Sequence, residues 1–216
     1  MNRDFTAMVA MVSLGIAILA LAVSALTAWL TLLKRGVVLM TQPTVVYFGP
    51  DGGSRPDGRP GLKVYFRTLL YATARRGRVI ETIFVRLNRG ETTQNFNIWV
   101  YGDKSLSRGS GLFVSDAGIA ANHHFLLPSD GTAFQFLPGT YTLEVFVRLV
   151  AATKPSLLHT VALDVSEGHS ESLKNTRQGL YFDWGPDSGR YYAHIRSNPQ
   201  PELPEFLREM IGETRE

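Results

Sequence analysis

The 216-residue sequence contains no cysteine. That absence excludes thiol nucleophiles, thiolate zinc sites, cysteine-ligated iron–sulfur clusters and a disulfide-stapled scaffold. It assigns no compartment, because reducing and oxidising surroundings both tolerate such a chain. There is no Gly-X-Y period, so a collagen-like chain is excluded, and aromatics at 11% do not fit a fully disordered one. No phosphate-cradling glycine loop is present: Arg108-Gly109-Ser110-Gly111 lacks a following Lys-Ser/Thr and a strand-to-helix setting. The same stretch lacks the spacing of a Gly-x-Ser-x-Gly nucleophile elbow. Charge is scarce, at 19% of residues, and is missing from residues 5–33, a run of 29 positions without Asp, Glu, Lys, Arg or His.

That run is the first thing the sequence does have. A helix rises about 1.5 Å per residue, so about 20 apolar residues cross a hydrocarbon core. The run exceeds that length and predicts a single transmembrane anchor from Phe5 through Leu19 and Trp29 to Leu33, with Trp29 at headgroup level. A cleaved leader is the alternative. Val23-Ser24-Ala25 would serve as its cleavage site, but the apolar run continues well beyond it. Arg3 and the terminal amine, offset by Asp4, flank one side; Lys34 and Arg35 flank the other. The bias places the following domain on the cytoplasmic side, with periplasmic or extracellular placement as the alternative. Ala20, Ser24 and Ala28 form a small-residue row that reads as lipid-facing surface before it reads as a packing face.

From residue 36 the hydrophobic period changes from helical to alternating. Strands are predicted at 44–48, 62–71, 79–87, 93–101, 112–114, 119–127, 132–136, 140–150 and 157–165. Residues 49–61, with five glycines and three prolines, read as a mobile loop, and Asp51 and Asp57 there as turn chemistry rather than a calcium site. Leu62, Val64, Phe66 and Leu70 share one face; Lys63, Tyr65 and Arg67 share the other. The next strand puts Val79, Ile83, Val85 and Leu87 inward, and Gly77 joins the two strands as a hairpin. Phe96, Ile98 and Val100 are expected inward on the following strand. Residues 166–178 predict a helix capped by Ser166 and stopped by Gly179. The chain therefore divides into a tail and anchor at 1–35, a sandwich at 36–166, a helix with an aromatic-rich extension at 167–198, and a Pro-rich tail at 199–216. In that tail Leu203, Phe206, Leu207, Met210 and Ile211 mark a short amphipathic helix.

About nine short strands with frequent turns imply a mainly β chain, an antiparallel sandwich after the anchor. The stretch Leu137-Pro-Gly-Thr-Tyr141-Thr-Leu-Glu-Val-Phe-Val resembles a late strand of an immunoglobulin-like or fibronectin-III-like sandwich. The resemblance implies fold only, since such folds host unrelated functions, and a Cys–Trp–Cys signature is impossible here.

The net charge of +3 is unevenly spread: +2 over residues 1–35, +6 over 36–110 and −5 over 111–216. Arg75, Arg76 and Arg78 fall at the predicted hairpin tip. A solvated tip is the plainer reading; contact with anionic lipid is the alternative. Nucleic acid is not expected as a partner, because the basic stretch lacks a recognition helix and the aromatic spacing of single-strand binders.

His123 and His124 point to opposite faces of one strand, so one metal cannot easily take both; His123 and His159 read as hydrogen-bonded structural histidines. His169 and His194 have no partner motif. Glu81 falls on the apolar parity of its strand, where an arginine partner is the simplest expectation. The strongest interaction candidates are Tyr181, Phe182, Trp184, Tyr191 and Tyr192, around a Gly-Pro-Asp-Ser-Gly turn. The competing role for these rings is to cap an open sheet edge and fill core. The expectation is a membrane-anchored, non-enzymatic interaction or accessory module without catalytic residue, metal or cofactor. Lipid contacts residues 5–33, and a protein partner or a second copy contacts the domain. The alternatives are a periplasmic module binding a glycan or small ligand through residues 180–195, and a hydrolase using a carboxylate and a histidine.

Overall fold

The computed structural model describes residues 3–33, 36–54, 60–103, 106–128 and 133–197. Asp57 and the Pro-rich tail at 199–216, with its predicted short helix, lie outside them. The first element is α1 (Arg3–Ala28), which continues as one π-helical turn over Trp29–Leu33. Residues Phe5–Thr31 have a mean hydropathy of 2.5 and no burial against the rest of the chain. Phe5, Leu19 and Trp29 are exposed along it; Leu33 closes the turn. The helix is long and apolar enough to span a membrane, properties that a leader sequence shares. Hydroxyls in its C-terminal half fold back onto the helix: Ser24, Thr27 and Thr31 donate to the carbonyls of Ala20, Val23 and Thr27 at 2.7–2.8 Å. These bonds satisfy three of the helix's side-chain hydroxyls within the helix itself.

Thirteen strands follow among the described residues: β1 (Val38–Met40), β2 (Val45–Ser54), β3 (Pro60–Ala72), β4 (Arg78–Arg89), β5 (Thr92–Phe96), β6 (Ile98–Gly102), β7 (Ser107–Arg108), β8 (Leu112–Val114), β9 (Ile119–Leu126), β10 (Gly139–Leu149), β11 (Ser156–Val165), β12 (Gln178–Gly185) and β13 (Arg190–Ser197). A short helix, α2 (Glu167–Ser172), precedes β12. Eight strands form one antiparallel sheet, β13-β12-β2-β3-β9-β6-β7 with β1 also on β3; five form the other, β11-β10-β4-β5 with β8 also on β4. The two sheets enclose one core. Phe48, Phe66, Phe125, Leu180 and Phe182 enter it from the larger sheet, and Ile83, Val85, Leu87, Leu143, Val145 and Leu163 from the smaller. This is the antiparallel sandwich that the alternation implied, immunoglobulin-like at a coarse level. Tyr141 donates to the Leu137 carbonyl at 2.9 Å, a tyrosine corner of the kind such sandwiches use.

Several expectations are corrected, each for a local reason. β3 and β4 do not form a hairpin: β3 belongs to the larger sheet and β4 to the smaller. Residues 73–77 are a corner between sheets, closed by Gly77 N–H donating to Ala74 O at 3.0 Å, so Arg75, Arg76 and Arg78 line an end of the sandwich. The single strand expected at 93–101 is two, β5 and β6, in different sheets. The switch at Asn97 reverses parity: Trp99 is buried, whereas Ile98 and Val100 are only half-buried. Residues 133–137 are irregular rather than a strand, and they deliver Phe136 to the core, stacked on Phe48 at 4.8 Å.

The proline- and glycine-rich stretch is partly strand. β2 runs through Pro50 to Ser54, and β3 begins at Pro60. Pro50 is tolerated because β12 pairs β2 only from Val45 to Phe48, leaving β2 an edge beyond that point. In β4, the ladder to β10 shifts register between Arg148 and Leu149, which turns Ile80 inward and Glu81 outward. Glu81 meets Arg148 at 2.6 Å, the arginine partner expected for it but on the solvent side. α2 ends at Ser172, short of Gly179. Ser166 caps it by accepting from His169 N–H at 3.1 Å, and the His169 ring accepts from the Ser166 N–H in return.

Candidate functional site

The outer face of the larger sheet carries a continuous row of rings. Strand register places His194 opposite Tyr181, Tyr181 opposite Tyr47, Tyr47 opposite Tyr65, and Tyr65 opposite His124. Ring centroids lie 5.8 Å apart for His194 and Tyr181, 4.9 Å for Tyr181 and Tyr47, and 4.7 Å for Tyr65 and His124. The row exists because each of these positions alternates with a core residue: Leu180 and Phe182 flank Tyr181, Val46 and Phe48 flank Tyr47, and Val64 and Phe66 flank Tyr65.

Tyr47 anchors the row. It faces away from the other sheet, yet it is 2% exposed. Its ring lies along the face over Gly49 and Gly179, and its hydroxyl donates to Pro50 O at 3.1 Å. A Cβ at Gly179 would collide with the Tyr47 ring. Gly179→Ala therefore costs about 1–3 kcal/mol by forcing the ring off the face. A drop in urea midpoint together with increased Tyr47 exposure in ultraviolet difference spectra checks this; an unchanged midpoint would show that the slot is not needed.

Cations and acids are interleaved across the row. Lys63 lies 5.5 Å from the Tyr47 ring centre and Arg196 lies 5.3 Å from that of Tyr181. Arg67 pairs with Asp103 at 2.7 Å and shares Asn122 Oδ1 with the Tyr65 hydroxyl, at 3.2 and 3.0 Å. Asp183 approaches His194 Nδ1 at 3.4 Å. Burial lowers the Lys63 ammonium below its usual pKa, and the Asp51 carboxylate counters this. Burial, then the Lys63 cation, lowers His124 to about 4, so its ring is neutral at physiological pH. Burial raises the Tyr65 hydroxyl. The result is an aromatic face of nearly balanced charge.

The five sequence candidates divide by strand parity. Phe182 is fully buried, and Trp184 and Tyr191 share its parity, their rings 5.0 Å apart. Tyr191 ties the edge of the larger sheet to the smaller one. Its hydroxyl donates to Pro43 O at 2.6 Å and accepts from Gln42 Nε2 at 2.7 Å, while Gln42 Oε1 meets His159 Nε2 at 2.7 Å. Burial pushes the Tyr191 hydroxyl up to about 12. Tyr181 and Tyr192 face outward; only Tyr181 joins the row, and Tyr192 lies against Arg190 at 5.0 Å. Tyr47, Tyr65, His124 and His194 were not singled out together by sequence. Their alternation is visible there, but the register that lines them up is not.

An open groove of about 600 Å³ lies beside the hairpin, lined by Thr140, Asp164, His169, Arg190 and Tyr192 among others. His123, on the other side of its strand from His124, is buried, and its Nδ1 accepts from Trp99 Nε1 at 3.1 Å. That bond puts the proton on Nε2, which has no partner. Among the described residues, no three histidine or carboxylate side chains gather at metal-binding spacing. No protein-family model, no curated protein and no solved structure matches the chain.

Proposed function

We propose that the chain is a single-pass, membrane-anchored, non-enzymatic interaction or accessory module that engages a protein partner through the outer face of its larger sheet. The row His194–Tyr181–Tyr47–Tyr65–His124 carries this reading. Rigid rings with polar edges contribute contact area at little entropic cost, and aromatic residues and arginine are the side chains enriched at protein interfaces. The balance of charge argues against nucleic acid even though an aromatic row is present: Arg67 is held by Asp103, and Asp51 lies by Lys63. The excess of Lys34 and Arg35 over the N-terminal flank supports cytoplasmic placement of the domain.

Photo-crosslinking in intact cells tests the reading. Tyr65→benzoylphenylalanine gives a discrete adduct, and Thr160→benzoylphenylalanine, exposed on the opposite sheet, gives none. Adducts at neither position, or at both alike, overturn the proposed face. An adduct of twice the chain mass makes the partner a second copy. Labelling of a single Arg67→Cys by a membrane-impermeant maleimide in intact cells overturns the cytoplasmic placement.

The groove favours a second reading, a periplasmic module for a glycan or small polar ligand. A carboxylate, a guanidinium, a hydroxyl and an exposed ring there offer the contacts such a ligand uses. That reading predicts a sugar-dependent change in Trp184 emission without Tyr65 adducts.

A further inference from the structure

One end of the sandwich combines exposed apolar side chains with cations at the point where the chain leaves α1. Val37 is 58% exposed, Val79 45%, Phe113 58% and Val150 55%. They belong together: Val79 pairs Phe113 across β4 and β8, Val150 N–H donates to Val79 O at 3.0 Å, and Val37 and Thr73 exchange two hydrogen bonds at 3.0 Å. Arg75 and Arg76 are exposed on the corner between β3 and β4, with Arg78 beside them and Lys154 on the turn after β10. The acids near this end among the described residues are Asp116, in the turn after β8, and Glu81, two residues from Val79 in β4 and paired with Arg148 at 2.6 Å. Gly77 has a φ of +67° and no Cβ, which leaves space for the Phe113 ring against the corner.

The chain leaves little freedom in where this end sits. Arg78 donates to Gly36 O at 3.4 Å, so the body is fastened to the chain three residues after Leu33. Three residues reach at most about 11 Å. The 27-residue apolar segment is about 40 Å long as a helix, against a hydrocarbon core of about 30 Å, so its C-terminal end reaches the headgroups when it spans. Lys34 and Arg35 add two further cations in the connection itself.

We infer that this end of the sandwich is a lipid-docking surface. Val37, Val79, Phe113 and Val150 seat in the interface, and Arg75, Arg76, Arg78 and Lys154 engage anionic headgroups. The inference rests on the anchor being retained. Docking fixes the orientation of the domain on the membrane and leaves the aromatic face of the larger sheet free for a partner.

The lack of cysteine makes single-site spin labelling of the full chain direct. Phe113→Cys and Val150→Cys report on the docking end, Leu137→Cys on the opposite end, and Leu19→Cys on the anchor. The chains are reconstituted in nanodiscs of phosphatidylcholine with phosphatidylglycerol, and collisions with oxygen and with an aqueous nickel relaxant are measured. The Leu19 label lies in hydrocarbon. The Phe113 and Val150 labels are shielded from nickel about threefold relative to the Leu137 label. Arg75→Glu with Arg76→Glu weakens docking by on the order of thirtyfold and returns the Phe113 label to the Leu137 value, with the Leu19 label unchanged. Phe113 and Val150 labels as accessible as the Leu137 label, over a buried Leu19 label, overturn docking and leave the anchor standing. A water-accessible Leu19 label overturns the anchor and docking together. Shielding that survives the charge reversal overturns the role of the arginines.

Discussion

Phe48→Ala lowers the unfolding free energy by about 3–5 kcal/mol. Phe48 is fully buried, with ring neighbours from several parts of the chain: Phe136 at 4.8 Å, Phe182 at 5.1 Å and Tyr141 at 5.9 Å. Across the larger sheet it stands opposite Val64 and Leu180. Truncation removes the transfer free energy of a phenyl ring and leaves a cavity where the sheets meet. Tyr141 is held by its own hydroxyl bond to Leu137, which limits collapse into the space. Phe48 also adjoins Tyr47 in β2, so the cavity opens beneath the centre of the aromatic row. Urea unfolding of the full chain in detergent, followed by near-ultraviolet circular dichroism, measures the loss. Leu137→Ala, at an exposed position, serves as the control and shifts stability by less than about 0.5 kcal/mol. A loss under about 1 kcal/mol for Phe48→Ala would mean that Phe48 is not the junction between the sheets.

The architecture was legible in the sequence wherever a strand keeps one parity from end to end. β10 shows Tyr141, Leu143, Val145 and Val147 inward, and β3 shows Val64, Phe66 and Leu70, as their alternation predicts. Legibility failed where the chain changes sheets or slips register, because both events reverse parity without altering composition. Asn97 separates two strands that alternation fuses. The register shift opposite Arg148 turns Glu81 from an apparently inward carboxylate into an exposed ion-pair partner. The corner at residues 73–77 has hairpin chemistry, yet it joins strands of different sheets, and only the partners chosen by each strand reveal that.

The site was less legible for the same reason. Tyr65 and His124 are 59 positions apart in the chain, and Tyr47 and Tyr181 are 134 apart, but they are neighbours across ladders. The aromatic cluster at 180–195 is visible by composition, and parity then sends Phe182 to the core and Tyr181 to the row. One local signal was available: Gly49 follows the core residue Phe48, and Gly179 precedes the core residue Leu180. A glycine at such a place marks a close approach, here by the ring of Tyr47.

Acid is expected to destabilise the sandwich well before its carboxylates titrate. His123 is 1% exposed, and burial, reinforced by the neighbouring His124, lowers it from 6.5 to about 4. The unfolded chain therefore binds a proton at His123 that the folded chain refuses between these values, and stability rises with pH across that window. The stabilisation is fully present above about pH 6.5 and is lost as pH falls toward 4, by about 3 kcal/mol from His123. His124 shifts in the same direction and adds to the loss, less so because water reaches it. His159, lowered by burial, acts with the same sign. The aromatic row feels the change too, since protonated His124 would stand beside the Lys63 cation. Urea midpoints at pH 7, 5.5 and 4 measure the slope. His123→Asn retains an acceptor for the Trp99 N–H and removes the titration, so it flattens the slope between pH 6.5 and 5 while the histidines elsewhere keep the rest. An equally steep dependence in that variant would move the acid sensitivity away from His123, and a flat wild-type profile down to pH 4 would refute the neutral buried imidazole altogether.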